Sequence, residues 1–142
     1  PYLINLAEVD DGKWLKYCLK ENQIVISKMY PFKTAIIDNL KGQSILATGN
    51  LYSLDLNIEK VDPWYLIAYL QSNMGLNEME RYATGSAFKM LSIVDLKKIR
   101  INLPSMSEQK IIAKKYRELR QNIISLKSEL KDLMKIKEEL FN

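Results

Sequence analysis

The sequence predicts an α+β fold, in which a mixed, mostly antiparallel sheet domain with short helices is followed by one long C-terminal coiled-coil helix. The first sixty residues contain short β-branched segments with period-two alternation, separated by Gly, Asn and Pro. From residue 107 to Leu140, apolar residues recur every third or fourth position without an intervening Gly or Pro. We therefore predict a compact domain over residues 1–104 and a long helix over residues 105–142.

Six segments in the first part of the chain have the pattern of strands. The most regular is 23–28, where β-branched residues cluster, and a turn containing Pro31 follows it. Alternation in the last segment places Leu54, Leu56 and Ile58 on one face, so we expect an antiparallel sheet with its other face in water. The predicted strands cover residues 1–6, 15–20, 23–28, 34–37, 44–47 and 52–58.

The period changes to that of helices at Asp62, an N-cap residue followed by Pro63 at the first helical position. The helix that follows should place Trp64, Ile67, Ala68 and Gln71 on one side and end within residues 72–75. Leu66 and Leu70 should broaden its apolar face. Shorter elements complete the domain: a helical turn over 77–82, a polar loop over 83–87, a helix over 93–98 capped by Ser92, and a closing strand over 100–104.

The long helix has a marked start, because Ser105 and Glu108 have the spacing of a capping box. A heptad seam follows, in which only Lys137 is polar. At 1.5 Å per residue the helix would be about 50 Å long, longer than a small domain is wide. We predict that the seam pairs with another long helix; the alternative is that it packs back on its own domain. The apolar seam residues are Ile112, Tyr116, Leu119, Ile123, Leu126, Leu130, Leu133 and Leu140.

Composition excludes several classes of function. The chain has no His and a single Cys, Cys18, so an intrachain disulfide is excluded and most metal and acid–base designs are disfavoured. We expect no cofactor, no metal and no membrane span, and a reducing, cytoplasmic setting. Residues 1–80 carry seven Lys against ten acidic residues, whereas residues 81–142 carry fourteen basic against seven acidic residues. This basic second half suits a nucleic-acid partner or, equally, a solvated coiled-coil face.

The tetrapeptide Asp62-Pro63-Trp64-Tyr65 permits an enzymatic interpretation. It is similar to the Asp-Pro-Pro-Tyr signature of adenine-amino methyltransferases, which flip a base and stack it on the Tyr. The second Pro is missing, and no Gly-rich loop for a nucleotide-like cofactor is present. Helix capping accounts for these residues and is the favoured interpretation.

Several motifs occur in the order found in one family. They are Gln23–Lys28 followed by Thr34–Ile37, the helix Asp62-Pro63-Trp64-Tyr65-Leu66-Ile67-Ala68-Tyr69-Leu70-Gln71-Ser72, the loop Thr84-Gly85-Ser86, the segment Leu91–Ile99, and Ile101-Asn102-Leu103-Pro104-Ser105-Met106-Ser107-Glu108-Gln109-Lys110-Ile111-Ile112. This arrangement resembles the DNA specificity (S) subunits of type I restriction–modification systems, and the last motif is the most specific.

The resemblance implies a non-catalytic target recognition domain for double-stranded DNA, and a long helix that acts as a spacer and docks methyltransferase subunits, with a restriction subunit as a further partner. The family's full subunit has two such halves with antiparallel helices, whereas this sequence has one. We therefore expect a single-domain relative, a fused C-terminal portion of a longer protein or an excised fragment; the given sequence begins at Pro1. A homodimer, or pairing with a second S half, would restore the two-domain layout.

DNA contact requires side chains that reach base edges and phosphates from loops. The candidates are Lys28, Tyr30, Lys33, Thr48, Asn50, Tyr52, Arg81, Ser86 and Lys89. Taken singly, each could instead be a solvated surface residue, and Tyr30 and Tyr52 could be half-buried packing residues. A non-catalytic coiled-coil scaffold is the alternative function; it explains the helix but leaves the basic loops without a role.

Overall fold

The structure, a computed structural model, describes Tyr2–Leu3 and residues 18–142. Strands occupy the first part of the chain and helices the second, as the sequence predicts. The described elements are β1 (Tyr2–Leu3), β2 (Ile24–Ser27), β3 (Thr34–Ile36), β4 (Ile45–Leu46), β5 (Leu51–Leu54), α1 (Pro63–Gln71), α2 (Asn73–Tyr82), α3 (Ile93–Leu96) and α4 (Met106–Glu139).

The central sheet has three strands in the order β3-β2-β5, and both pairings are antiparallel. Ile24 lies opposite Ile36 on one side and opposite Leu54 on the other. A second, two-stranded antiparallel sheet joins β1 to β4. The α+β class and the antiparallel pairing are therefore confirmed.

The main core lies between one face of the central sheet and helix α1. Ile24 and Ile26 are 0 % and 1 % exposed there, and Ile67 of α1 packs in the same cluster. The prediction that the opposite face is in water is wrong for the central strand. Val25 points to that side and is buried with Leu19 and Ile37, because the chain on either side of β2 folds over it.

Helix α1 begins as predicted, since the Asp62 carboxylate accepts from the N–H groups of Trp64 and Tyr65 and Pro63 occupies the first turn. Its buried face includes Trp64 and Ile67, broadened by Leu66 and Leu70 as predicted. Tyr65 is buried in addition, whereas Ala68 and Gln71 are not. The helix is buried on more than one side because it contacts both the sheet and α4.

Helix α2 is longer than the predicted turn, because Ser72 both ends α1 and caps α2 through a bond from the Gly75 N–H. A Cβ at Gly75 would lie 2.2 Å from the Tyr69 carbonyl oxygen, so this close approach of the two helices requires glycine. Ser72 therefore connects the two helices, and residues 73–75 begin α2 instead of ending the helical region. Helix α3 is two residues shorter than predicted.

Two strand predictions are wrong. Strand β5 ends at Leu54, and Ile58, predicted to be on the buried face, is 68 % exposed as the first residue of a turn at residues 58–60. Residues 100–104 form no strand, because side chains bind their carbonyl groups. The Tyr65 hydroxyl donates to the Asn102 carbonyl, and the Gln109 amide donates to that of Pro104.

Two further predicted strands fall partly outside the described residues. Of the segment 1–6 only Tyr2–Leu3 is described, as strand β1. Of the segment 15–20, residues 15–17 lie outside the described residues, and Cys18 forms an isolated bridge with Leu46 instead of a continuous strand.

Helix α4 spans 34 residues, from Met106 to Glu139, and begins with the predicted capping box. The Ser105 N–H and hydroxyl both donate to the Glu108 carboxylate, at 2.9 and 2.7 Å. These bonds hold the pKa of Glu108 below its ordinary value. Only the first part of α4 packs on the domain, where Gln109 and Ala113 are its buried residues.

Candidate nucleic-acid interface

Three loops meet at one end of the central sheet: residues 28–33, 48–52 and 84–91, here called the loop cluster. Backbone hydrogen bonds join them. The Lys28 N–H donates to the Asn50 carbonyl at 3.0 Å, the Leu91 N–H donates to the Lys28 carbonyl at 2.9 Å, and the Tyr30 N–H donates to the Lys89 carbonyl at 3.0 Å. The pairing of β2 with β5 ends at Ser27 and Leu51. Beyond that point, residues 89–91 pair with residues 28–30, which follow β2.

The third loop is itself a closed hairpin. Thr84 and Met90 exchange two backbone hydrogen bonds, at 2.9 and 2.8 Å. Gly85 has φ +118°, and a Cβ at this position would lie 2.2 Å from the Phe88 carbonyl oxygen. Only glycine fits both the conformation and the space, so the chain can turn sharply there and present residues 86–89 to solvent.

The first loop is held by a side chain that the sequence pattern did not single out. The Ser27 hydroxyl donates toward the carbonyls of Met29 and Pro31, each at 3.1 Å, and accepts from the Lys33 N–H at 2.9 Å. A serine at the end of a strand gives no distinctive sequence signal, so its role emerges only from the folded turn.

Most predicted DNA-contact residues are brought together in the loop cluster. Lys28 lies with its ammonium 4.8 Å from the centre of the Tyr52 ring. The Tyr52 hydroxyl donates to the Leu91 carbonyl at 2.8 Å, so Tyr52 is a packing residue with its polar group already bonded. Tyr30, by contrast, is 55 % exposed. The other members are Lys33, Thr48, Asn50, Ser86 and Lys89.

Arg81 differs from the rest, because it lies in the last turn of α2. Its guanidinium pairs with Glu78 at 3.3 Å and lies over the Tyr82 ring at 5.5 Å. Any contact of Arg81 with a ligand of the loop cluster would have to replace or share the Glu78 pair.

The loop cluster is positively charged. Its three segments contain Lys28, Lys33 and Lys89 and no Asp or Glu. Lys33 and Lys89 are exposed, and Lys28 is half-buried. Three lysines without a neutralising carboxylate in the same loops give a surface suited to a polyanion.

The Asp62-Pro63-Trp64-Tyr65 tetrapeptide has a structural role. Asp62 caps α1, with its carboxylate 2.8 Å from the Trp64 nitrogen. Tyr65 is buried and donates to the Asn102 carbonyl at 2.7 Å. Burial raises the pKa of the Tyr65 phenol, and the nearby Tyr69 raises it further. A buried, hydrogen-bonded ring cannot stack on a flipped base, so the capping interpretation is confirmed.

Helix α4 is fixed to the domain by the buried amide of Gln109, which is 1 % exposed. Its oxygen accepts from the Asp62 N–H at 2.9 Å, and its nitrogen donates to the carbonyls of Lys60 and Pro104 at 3.1 and 3.0 Å. The sequence shows Gln109 only as part of a motif, and its backbone partners lie in two other segments, at residues 60–62 and at Pro104, so its anchoring role could not be predicted.

About two to three turns further along α4, aromatic and basic side chains cover Trp64. The guanidinium groups of Arg117 and Arg120 lie 4.5 and 5.2 Å from the Trp64 ring centre. Tyr116, which the heptad pattern assigns to the seam, packs on Trp64 and its hydroxyl donates to Gln71. Burial raises the pKa of the Tyr116 phenol. Gln109, Ala113 and Tyr116 together form what we call the anchored face.

The remaining seam residues lie away from the anchored face. At about 100° per residue, the seam is centred roughly a quarter of a turn around the helix from Gln109 and Ala113. Ile112 is accordingly 42 % exposed although it adjoins Ala113. The other apolar seam residues, which are between 51 and 74 % exposed, are Leu119, Ile123, Leu126, Leu130, Leu133 and Leu140.

Within the described part of the chain, no three His, Cys, Asp or Glu side chains are grouped so that they could hold a metal ion. No helix in the same part is long and apolar enough to cross a membrane.

Comparison with known proteins identifies the family. Residues 8–137 match the family described as type I restriction modification DNA specificity domain. The chain is also 30 % identical over 112 residues to a protein of Methanocaldococcus jannaschii named as the specificity subunit of the type I restriction enzyme MjaX. That alignment covers 79 % of this chain and 23 % of the relative, so the chain spans less than a quarter of that protein. The chain belongs to the family of type I restriction–modification DNA specificity domains.

Proposed function

We propose that this chain is a sequence-specific recognition module for double-stranded DNA, serving as the specificity subunit, or half of one, in a type I restriction–modification system. In this role it carries no catalytic group itself and directs methyltransferase and restriction subunits to a target site in the cytoplasm. The observation that carries the proposal is the convergence, at one end of the sheet, of three loops that contain three lysines and no acidic residue.

The backbone bonds between these loops favour recognition, because they fix the relative positions of side chains from separate segments. Lys33 and Lys89 would hold phosphates, whereas Tyr30, Asn50 and Ser86 would face base edges. Lys28, stacked on Tyr52, would contribute charge from a fixed position. Thr48 would support the turn that presents Asn50, since the Leu51 N–H donates to its carbonyl.

We further infer that the seam of α4 pairs with a second long helix, in another copy of this chain or in a second specificity half. Exposed leucines at heptad spacing favour such a pair. The pair would set the distance between two loop clusters and leave the outer faces of the helices for modification subunits. A purely structural coiled coil would use the same seam without DNA affinity.

The test is a fluorescence anisotropy titration of the chain against random-sequence duplex DNA over a range of salt concentrations. We expect binding that weakens steeply with salt, because each phosphate contact releases counterions. The variant Lys33→Gln/Lys89→Gln should reduce the slope of log K against log salt by about 2.

The matched control is Lys20→Gln/Lys41→Gln, which removes the same charge from two exposed lysines outside the loop cluster. It should leave the slope nearly unchanged. Equal effects of the two variants would show that the loop cluster is not the binding surface. A stable dimer with no DNA affinity at low salt would favour the scaffold function.

A further inference from the structure

The loop cluster presents apolar side chains beside its lysines, and the predicted contact residues did not include them. Phe88 is 75 % exposed, Met90 48 % and Met29 43 %. Met29 and Met90 form a bridge between the first and third loops, so these side chains belong to one surface. Apolar surface exposed in this way is unfavourable in water and commonly marks a binding site.

Phe88 is held in this exposed position by the hairpin that carries it. The paired Thr84 and Met90 close the hairpin, and Gly85 permits the tight approach to the Phe88 carbonyl. The Lys89 carbonyl accepts from the Tyr30 N–H, which fixes the hairpin to the end of β2. The backbone that carries the Phe88 ring is already ordered, so little backbone conformational entropy would be lost when the ring enters a partner.

The charge of the same surface favours duplex DNA as the partner. Phe88 directly precedes Lys89, and Lys28 and Lys33 flank Met29 in the neighbouring loop, again without an acidic residue in any of the three loops. Lysines placed around an apolar projection match duplex DNA, where phosphates surround stacked bases. They match an apolar protein surface poorly, because the lysines would lose hydration without gaining a counter-charge.

We propose that Phe88 acts as a wedge that inserts at a base step of bound duplex DNA and partly unstacks it, with Met90 and Met29 packing beside it. The inference rests on the proposed function and deepens it, since it assigns a deforming contact to the same surface. Apolar side chains that enter base steps kink the duplex. Pyrimidine–purine steps unstack most easily, so this contact would favour TA and CA steps.

The experiment uses a set of short duplexes in which 2-aminopurine occupies one TA or CA step, placed at a different position in each. Fluorescence of this base rises when it unstacks, and DNA affinity is measured in parallel by anisotropy at low salt. The wild-type chain should raise the fluorescence of a subset of duplexes. Phe88→Ala should abolish this rise and weaken binding by about tenfold, the size expected for loss of one aromatic contact with a base.

Two variants separate insertion at a base step from a general effect of removing an exposed aromatic ring. Phe88→Leu keeps an apolar side chain able to enter a base step, and should retain most of the fluorescence rise. Phe141→Ala removes another exposed Phe, 88 % exposed just beyond α4, and should behave as wild type. Unchanged circular dichroism would show that the variants are folded.

The outcomes also distinguish this inference from the proposed function. Salt-dependent binding of the wild type without any fluorescence rise would overturn the wedge and leave DNA recognition standing. Absence of DNA binding would overturn both. If Phe88→Ala lowered the oligomeric mass but left DNA affinity unchanged, Phe88 would be a protein-docking residue and the wedge would be wrong.

Discussion

The two faces of helix α4 differ in what covers them. On the anchored face, Gln109 and Ala113 are 1 % and 5 % exposed, because α1 and the segments at Lys60 and Pro104 lie against them. On the seam, Leu126 and Leu130 are 63 % and 57 % exposed. The anchored face is thus buried within this chain, whereas the seam presents regularly spaced leucines to solvent.

Attachment to the domain and pairing with a second helix therefore need not compete for the same residues. The two faces are about a quarter of a turn apart, so a second helix could lie along the seam while the domain stays in place. Burial of each seam leucine would contribute roughly 1.5–3 kcal/mol, which makes pairing the expected state of the seam.

The largest effect is expected from placing charge on the seam with Leu126→Lys/Leu130→Lys. Each substitution would place a lysine in an apolar interface and remove one buried leucine. The dissociation constant of the helix pair should therefore rise by about a hundredfold or more. Analytical ultracentrifugation measures the mass, and circular dichroism measures the accompanying loss of helix.

Gln121→Lys/Ser128→Lys is the matched control, because both residues lie on the side of α4 opposite the seam. These substitutions add the same positive charge, and should leave the mass unchanged. If the seam variant kept both the mass and the helicity of the wild type, the pairing of helices through the seam would be wrong.

On the anchored face, Gln109→Ala should destabilise the domain by roughly 2–3 kcal/mol. The substitution leaves the Asp62 N–H and the carbonyls of Lys60 and Pro104 without their buried partner, and unsatisfied buried groups are costly. Chemical denaturation measures the free energy of unfolding.

Gln121→Ala provides the comparison on the same helix, since Gln121 is exposed. It should change stability by less than about 0.5 kcal/mol. Similar effects of the two substitutions would mean that the Gln109 bonds do not hold the helix to the domain.

The smallest effect is expected at the start of α4, where Glu108→Gln weakens the capping box. The pKa of Glu108 is lowered by its bonds from Ser105, so the carboxylate stabilises the fold above its unfolded-state pKa. This contribution is lost as the pH falls through the lower folded-state pKa. The wild type should therefore be the more stable protein at neutral pH, and the difference should vanish in acid.

Denaturation at a series of pH values gives this difference directly. Glu129→Gln, an exposed substitution in the middle of α4, serves as the reference for losing a carboxylate elsewhere on the helix. A difference between wild type and Glu108→Gln that persisted unchanged in acid would contradict a role for the charged carboxylate in the cap.

Local signals in the sequence were sufficient for much of the fold. The caps at Asp62 and Ser105 and the strand at Ile24–Ser27 depend on neighbouring residues, and all three are observed. The errors occur where residues distant in the sequence determine the local structure. Ile58 continues an alternating pattern but lies past the end of β5, and residues 100–104 bond to side chains of α1 and α4 instead of a strand.

The candidate site likewise contains residues that could be predicted from the sequence and residues that could not. Loop position and residue type were enough to group Lys28, Asn50 and Lys89, which the backbone bonds bring together. They were not enough to find Ser27, whose hydroxyl holds a turn, or Phe88, whose exposure depends on a closed hairpin. Helical periodicity also placed Tyr116 in the seam, although it packs on Trp64 of the domain.

The bonds of Gln109 bear on how readily such a chain could diversify. All three of its partners are main-chain atoms, of Asp62, Lys60 and Pro104. The attachment of the helix therefore depends on the path of the backbone more than on which side chains the domain carries. Loops with a different set of side chains could therefore be combined with the same helix while the hydrogen bonds of Gln109 stay unchanged. A new target preference could then arise by substitution in the loops alone.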